Sequence, residues 1–497
     1  MQKIMLLSLS VAVLTACTIF EPVPAEAPYE TFSLVAGDTV KTRVDKDFTK
    51  IKDVNPNSPK HLLVGEQVVT YKEPKLHTPP AKDPDLSKIK NNDDPDLKGK
   101  PLRMVTIGGS LTAGVRDGGY FNEGIMTSFP NLIARQMKLK KFEQPLFDAT
   151  DYNGFGRKVL TDFNPTGGKI PKFKEASNNL AVELIDSKGE VKLKKYKGQI
   201  DNFGIPFGTY KGYQRALKEY GEEYGFAGPR VQNGDRKKFS DRFTDKIYMD
   251  EVLSQKTDLL IIEFGIQDAI NLILSDVQPT SFYKFPGNNE DFFFERLKTK
   301  KISKGVIFNL PNVLELPYFT KVSFDEVLAG ATNGFLYTQF SKVFIGEIFR
   351  DPKRNGTTYL MLPTSTNDSI SSPKVHISLK YGMSASKPLP ERNFADINKI
   401  NISKRNLESF NKEIEEQAKR VSFEIVDLNS LYSKIIKGEY RSDDGIAVMQ
   451  KDFFSTDGIN PTALGQAVIA NETIKVLNKA YKTNIELIKI ADYLQLK

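Results

Sequence analysis

The chain carries five short apolar runs, separated from one another by polar or glycine-containing stretches. They lie at residues 102–107, 258–264, 304–310, 358–362 and 423–427. Runs of this length without polar alternation are typical of strands that are buried on both faces, as in a parallel sheet. Helical patterns lie between or after these runs, at residues 129–137, 406–418 and 462–481. Because strands that alternate with helices build α/β folds, the pattern predicts a mainly parallel five-stranded sheet that helices cover on both faces.

A further apolar run at the start of the chain predicts a targeting segment. Residues 4–16 follow Lys3 and number about 13, short of the roughly 20 that a bilayer-spanning helix needs. A cationic start, an apolar middle and an exit of small residues are typical of a secretory signal. The exit, Leu14-Thr15-Ala16-Cys17, resembles the lipobox of bacterial lipoproteins, and Cys17 is the only cysteine of the chain. The alternative is a plain secreted protein with a chance cysteine.

The lipobox resemblance implies a signal peptide over residues 1–16 and acylation of Cys17. More than one acyl chain gives stable membrane anchoring. Thr18, rather than an aspartate, follows the cysteine, which by the usual sorting of such lipoproteins implies the outer membrane, with the leaflet left open. No later run is long enough to span a bilayer, so we expect the mature body to be soluble.

Residues 17–100 predict a tether and linker, since residues 73–100 alone hold five prolines. Inside this region, residues 31–72 carry Gly37-Asp38-Thr39, an Asn-Pro-Asn turn and Val64-Gly65-Glu66-Gln67 in an order that resembles a LysM glycan-binding repeat. That resemblance implies contact with peptidoglycan. The charged stretch from residue 40 to 50 departs from the repeat, which has an apolar first helix there. An irregular spacer is therefore the alternative.

The amino-acid composition limits the partners, metal sites and disulfides that the chain can have. The 497 residues are 39% hydrophobic and 27% charged, which is ordinary for a globular protein. The net charge of +8 is a mild basic bias that suits an anionic membrane surface, and we expect no nucleic-acid partner. The three histidines, His61, His77 and His376, are too few for a multi-histidine metal centre, so we expect neither a metal nor a cofactor. One cysteine allows no intramolecular disulfide.

The first strand candidate ends in a turn that favours nucleophilic chemistry. Gly108-Gly109-Ser110 follows it directly, and Gly114 closes the segment. Active sites of parallel sheets lie at the carboxyl ends of the strands. A glycine-flanked turn lets the Ser110 hydroxyl stand clear of the backbone at the head of a helix, where free N–H groups can stabilise an oxyanion. A glycine-rich turn without chemistry is the alternative.

Four sequence blocks in order resemble the GDSL/SGNH hydrolase family, over about residues 100–490. The blocks are residues 108–114, 199–208, 265–268 and 457–465, and each follows a strand candidate or precedes the last helix. The chain is most similar to the large lipoprotein branch of Bacteroidetes-type Gram-negative bacteria. The resemblance implies a three-layer α/β/α sandwich of SGNH/flavodoxin-like type with long insertions, in a domain of residues 101–490. It also implies a serine esterase or lipase that acts on acyl esters of lipids or glycans.

The resemblance also assigns residue roles. Ser110 is the nucleophile, and its own N–H is the first oxyanion donor. The second donor is the N–H of Gly208, with Gly204 as the alternative. The third is the amide of Gln267, which stands where the family has an asparagine and is one methylene longer. Asp457 is the acid of the triad.

The fourth block departs from the family at the position of the general base. Asn460 stands where the histidine belongs, and Gly109 replaces the aspartate of the first block. An amide cannot take the serine proton near neutral pH, and a serine needs a base to attack an ester. His376, in a Ser- and Pro-rich loop at residues 363–390, is one substitute; a solvent-facing or loop-packing role is the other interpretation.

Three functions therefore stay open. The first is an ester hydrolase that uses Ser110, Asp457 and a non-standard base. The second is a catalytically inactive pseudo-hydrolase that binds an acyl-ester or lipid ligand, or a partner, in the same cleft. The third is a cell-wall-contacting lipoprotein, which depends on the LysM-like stretch.

Overall fold

The computed structural model describes most of the chain beyond residue 75 and four strands before it. The described residues are 29–35, 38–44, 60–64, 67–71, 76–164, 170–185, 191–209, 242–243, 248–274, 292–320, 335–337, 342–344, 359–361, 384–388 and 394–494. They fall into two compact units. One draws on residues 1–75, 159–174 and 494–497, and the other on residues 76–158 and 175–493.

Two-stranded sheets make up the described part of the first unit. Tyr29–Val35 pairs antiparallel with Asp38–Val44, and Lys60–Val64, which carries His61, pairs antiparallel with Gln67–Tyr71. The strand Asp38–Val44 begins where a LysM repeat would have its first helix. The signal segment and Cys17 lie outside the described residues.

A five-stranded parallel sheet forms the centre of the second unit, which confirms the α/β expectation. Its strands are β1 (Met104–Gly108), β2 (Asn202–Gly204), β3 (Leu259–Glu263), β4 (Gly305–Phe308) and β5 (Glu424–Val426). Their spatial order is β2-β1-β3-β4-β5, and all four neighbouring pairs are parallel. Every residue of β1, β3 and β4 is buried, which explains their continuous apolar runs.

One predicted strand lies elsewhere. The run at 358–362 forms the strand Tyr359–Met361, which pairs antiparallel with Phe394–Asp396 in a separate two-stranded sheet. The prediction that this run belongs to the central sheet is therefore wrong. The fifth place is taken by β2, a three-residue edge strand with one apolar side chain, Phe203. An element so short carries no periodic signal.

Helices join and follow the strands of the second unit. They are α1 (Ser110–Ala113), α2 (Asn122–Met126), α3 (Phe129–Gln136), α4 (Tyr248–Ser254), α5 (Ile266–Leu274), α6 (Phe292–Thr299), α7 (Pro317–Thr320), α8 (Ile397–Val421), α9 (Leu428–Ile436), α10 (Gln450–Phe453) and α11 (Ala463–Tyr481). Shorter pieces of this unit are the 3₁₀ turns Val313–Glu315 and Ile490–Tyr493 and the strands Val182–Ile185, Val191–Leu193, Phe335–Tyr337 and Lys342–Phe344. The strands Lys158–Asn164 and Ile170–Glu175 belong almost wholly to the first unit.

The three predicted helices are confirmed as α3, α8 and α11. Helix α11 begins where it does because the Thr462 hydroxyl accepts a hydrogen bond from Gly465 N at 3.1 Å, an N-cap contact. Within the described ranges, no helix combines the length and the apolar character that crossing a bilayer requires.

Residues 76–100, which the sequence assigns to the linker, lie within the second unit. The buried Asp258 carboxylate at the start of β3 accepts hydrogen bonds from Lys90 Nζ at 3.0 Å and from Asn91 N at 2.8 Å. His77 contacts Tyr493 and Gln136. Buried polar groups need such partners, so the proline-rich segment is held to the sheet by specific bonds.

Candidate functional site

Ser110 is the first residue of α1 and follows β1 after one glycine. Its side chain is buried, with the residue 8% exposed. Its Oγ accepts a hydrogen bond from the backbone N–H of Phe207 at 2.8 Å. The Ser110 N–H has no hydrogen-bond partner among the described residues, as expected for the first turn of a helix. Among the described residues, the Ser110 N–H is therefore available to donate to a ligand, whereas the hydroxyl oxygen already accepts a hydrogen bond from Phe207.

The two glycines before Ser110 leave room for a buried carboxyl. A Cβ on Gly108 would lie 2.0 Å from Thr112 Oγ1 and 2.8 Å from Glu263 Oε2. On Gly109 it would lie 3.3 Å from the Gly208 carbonyl oxygen and 3.6 Å from Glu263 Oε2. The close approach of these groups requires glycine at 108 and leaves little space at 109.

In the second block, the N–H groups of Gly208 and Gly204, which are the predicted oxyanion donors, bond to other residues of the same block. The Gly208 N–H donates to Ile205 O at 2.9 Å, and the Gly204 N–H donates to Asn202 Oδ1 at 3.1 Å. The N–H that reaches the serine belongs to Phe207, which adopts a positive φ of 57°. Sequence reasoning missed Phe207, because the block marks a glycine-containing loop but not which of its N–H groups turns inward.

In the third block, Gln267 lies in the first turn of α5 and is buried. Its Nε2 donates to Asn271 Oδ1 at 3.0 Å, one turn further along the same helix. The amide is thus engaged within α5.

In the fourth block, four donors surround the Asp457 carboxylate. Oδ1 accepts from the N–H groups of Ile459 and Asn460, both at 2.8 Å. Oδ2 accepts from Gly118 N and from Asn460 Nδ2, both at 2.8 Å. Burial raises the pKa of Asp457, while the hydrogen bonds from Asn460 and Ile459 act in the opposite direction. A carboxylate has about four lone-pair sites, so this one is fully engaged.

Asn460 is buried and keeps the contact to the acid through its Nδ2. Within the described part of the chain, no hydrogen bond joins Asn460 to Ser110. Among the described residues, the Ser110 hydroxyl therefore bonds to a donor and to no proton acceptor. The described geometry places no titratable base between Ser110 and Asp457, the residues predicted as nucleophile and acid.

Side-chain bonds hold the fourth block against the first. Gln466 Nε2 donates to Leu111 O at 3.1 Å, and Gln466 Oε1 accepts from Phe129 N at 2.9 Å. Asp117 Oδ1 accepts from the N–H and the hydroxyl of Thr456 at 2.9 and 2.6 Å. The turn that carries Ser110 and the loop that carries Asp457 are thus joined by hydrogen bonds.

The histidines supply no base to this turn and loop in the described residues. His77 Nδ1 and Nε2 lie 2.9 Å from Tyr493 Oη and 3.0 Å from Gln136 Oε1, and burial lowers the pKa of His77 to about 4. His376 and the rest of the 363–383 loop lie outside the described residues, and the side chain of His61 does too.

A buried acid that the sequence analysis did not single out lies under the serine turn. Glu263, the last residue of β3, is 2% exposed and accepts a hydrogen bond from the Gly109 N–H at 2.8 Å. The available signal in the sequence was a glutamate inside the apolar run at residues 258–264. In the described ranges, no group of three or more His, Cys, Asp or Glu side chains could hold a metal ion.

Comparison of the chain with protein-family models, with curated proteins and with solved structures finds no match to any of them.

Proposed function

We propose that the second unit is a three-layer α/β/α domain of the SGNH hydrolase type that binds acyl esters at Ser110 without efficient turnover. The parallel order β2-β1-β3-β4-β5 supports the fold, because it is the flavodoxin-like order of a doubly wound sheet. In such sheets ligands bind at the carboxyl ends next to the strand where the order reverses. Ser110 follows β1 at that point.

The observation that carries the proposal is the hydrogen-bond state of Ser110. Its Oγ accepts from Phe207 N, and the described acceptors around it are engaged or unable to titrate. All four lone-pair sites of Asp457 hold donors, and Asn460 offers an amide. Without a base the hydroxyl is a weak nucleophile, while the Ser110 N–H, which has no partner among the described residues, can still donate to a carbonyl oxygen.

The same proposal includes a location near lipids, which the N-terminal sequence pattern favours. Acylation of Cys17 would anchor the protein to the outer membrane, where acyl esters are at hand. Peptidoglycan contact through residues 31–72 is a weaker part of the proposal, since Asp38–Val44 forms a strand.

A second candidate, a working ester hydrolase, is favoured by the preserved serine turn. Ser110 is buried at the end of a parallel strand, with a free N–H beside its hydroxyl. This candidate needs a base from outside the described residues, such as His376.

Equilibrium binding of p-nitrophenyl butyrate to the full-length protein tests the proposal. We expect saturable binding that Ser110→Phe abolishes by crowding the proposed ligand site, with folding checked by circular dichroism. Ser254→Phe, at the exposed end of α4, is the matched control and should bind as the parent does. Absent binding, or equal binding by Ser110→Phe, would refute the pocket.

A fluorophosphonate probe separates the two candidates, because covalent capture requires an activated serine. The proposal predicts no labelling of the parent protein. Labelling that disappears in Ser110→Ala would establish the hydrolase instead.

A further inference from the structure

Glu263 makes two hydrogen bonds that bracket the nucleophile. Its Oε2 accepts from the Gly109 N–H at 2.8 Å and from the Thr112 hydroxyl at 3.1 Å. Gly109 directly precedes Ser110, and Thr112 lies two residues after it. One carboxyl oxygen thus ties together both sides of the turn that carries the serine.

The position is an unfavourable one for an acid. Glu263 is 2% exposed, and the titratable groups that face it from the described part of the chain are Asp268 on α5 and Tyr432 on α9, neither of them a cation. Burying a carboxyl without a positive partner opposes folding. The rest of β3 is apolar, so packing alone would be served better by leucine or valine. The acid therefore has a role that an apolar residue does not fill.

The same carboxyl occupies the space beside position 109. A Cβ on Gly109 would lie 3.6 and 3.8 Å from the two Glu263 oxygens, so an acidic side chain there would meet a second buried acid.

We propose that Glu263 is the positioning residue of the Ser110 turn. By holding the Gly109 N–H and the Thr112 hydroxyl, it fixes the direction of the Ser110 N–H and so the affinity of the pocket for a ligand oxygen. This inference rests on the proposed ligand site at Ser110. It follows that the charge state of Glu263 matters, since an ionised carboxylate bonded to Gly109, the residue before Ser110, repels an anionic ligand oxygen at the serine. Burial raises the pKa of Glu263 to about 7, which puts the change near neutral pH.

Binding of butyrate to the full-length protein at pH 6 and at pH 8.5 tests the charge effect. We expect about tenfold weaker binding at pH 8.5, as for a ligand that moves the acid's pKa by one unit. Glu263→Gln, which resembles the neutral acid, should bind equally at both pH values. Glu424→Gln, at an exposed position of β5, is the control and should keep the parent's pH dependence. Equal pH dependence in Glu263→Gln and the parent would overturn the inference.

Hydrogen exchange of the peptide that covers residues 104–114 gives a ligand-free test. We expect Glu263→Ala to speed exchange in this peptide, and Glu263→Gln to restore protection. Unchanged exchange in a folded Glu263→Ala protein would overturn the positioning role. Failure of p-nitrophenyl butyrate to bind, with exchange altered as expected, would refute the proposed function but leave the positioning role supported.

Discussion

At the residue scale, a carboxylate acts as a base only through a lone pair that no donor occupies. Asp457 has none left, because its four acceptor sites hold Gly118, Ile459 and, twice, Asn460. Its described bonds are those of a residue that orders a loop. The amide of Asn460 maintains this order but cannot carry a proton between Ser110 and Asp457.

Asp457→Asn should therefore lower the free energy of unfolding by about 3 kcal/mol, because an NH₂ group would face donors that now bond to an oxygen. Chemical denaturation at pH 7 measures the change. The control is Asp96→Asn, which removes an exposed ion pair with Lys256 and should cost at most about 1 kcal/mol. Equal losses in the two variants would show that the bonds around Asp457 contribute little.

The sequence allowed some of these residues to be predicted and hid others. Ser110 and Asn460 stand in blocks of fixed spacing, so a motif locates them. Phe207 and Gly118 act through backbone N–H groups, for which side-chain identity gives no signal. Glu263 belongs to the site because β1 and β3 are neighbours, a long-range fact that one sequence does not state.

At the element scale, a continuous apolar run decided whether a strand could be predicted. Runs buried on both faces gave β1, β3 and β4 correctly, since burial leaves a continuous apolar signature. The same signature occurs at 359–361 in a two-stranded antiparallel sheet, so an apolar run alone does not specify its partner strand. The edge strand β2 has a single apolar residue, Phe203, and so gives no such run, whereas the equally short β5 lies within one.

The loop between α10 and α11 offers a test of its packing. Gly458 has a φ of 70°, and a Cβ there would lie 2.6 Å from Tyr318 N. Gly458→Ala should destabilise the protein by about 3 kcal/mol or more, since left-handed strain adds to a backbone clash.

Gly445→Ala is its matched control. Gly445 has a φ of 84° and nothing within 4 Å of an added Cβ, so strain alone should cost about 1 to 2 kcal/mol. Thermal unfolding of both variants measures the difference. Equal melting temperatures would mean that the contact with Tyr318 yields without cost.

At the scale of the whole molecule, a segment that reads as a linker is part of the second unit. The proline content of residues 73–100 predicts a linker, whereas His77 is bonded to Gln136 of α3 and to Tyr493 near the end of the unit. The amino-acid composition of a segment indicates how much conformational entropy is lost when the segment becomes ordered. It does not indicate which distant residues will bind the segment and offset that loss.

A fall in pH should reduce the stability that the bonds of His77 to Gln136 and Tyr493 contribute. The pKa of His77 is lowered from 6.5 to about 4, so the folded state binds fewer protons than the unfolded state in that range. The stability contributed by neutral His77 is complete above pH 6.5 and is lost as pH falls toward 4, by up to about 3 kcal/mol. His77→Gln cannot titrate, so the difference in unfolding free energy between parent and variant should shrink over this interval. A difference that stays constant with pH would contradict the account.

The rate of p-nitrophenyl butyrate hydrolysis, compared among the parent, Asn460→His and Ser110→Ala, tests the central claim most directly. We expect the parent to match Ser110→Ala, because no base contacts the serine in the described part of the chain. We expect Asn460→His to raise the rate by about 10² or more, since a histidine there would keep the contact to Asp457 and accept the serine proton. Parent activity that Ser110→Ala abolishes would contradict the claim and establish a working hydrolase.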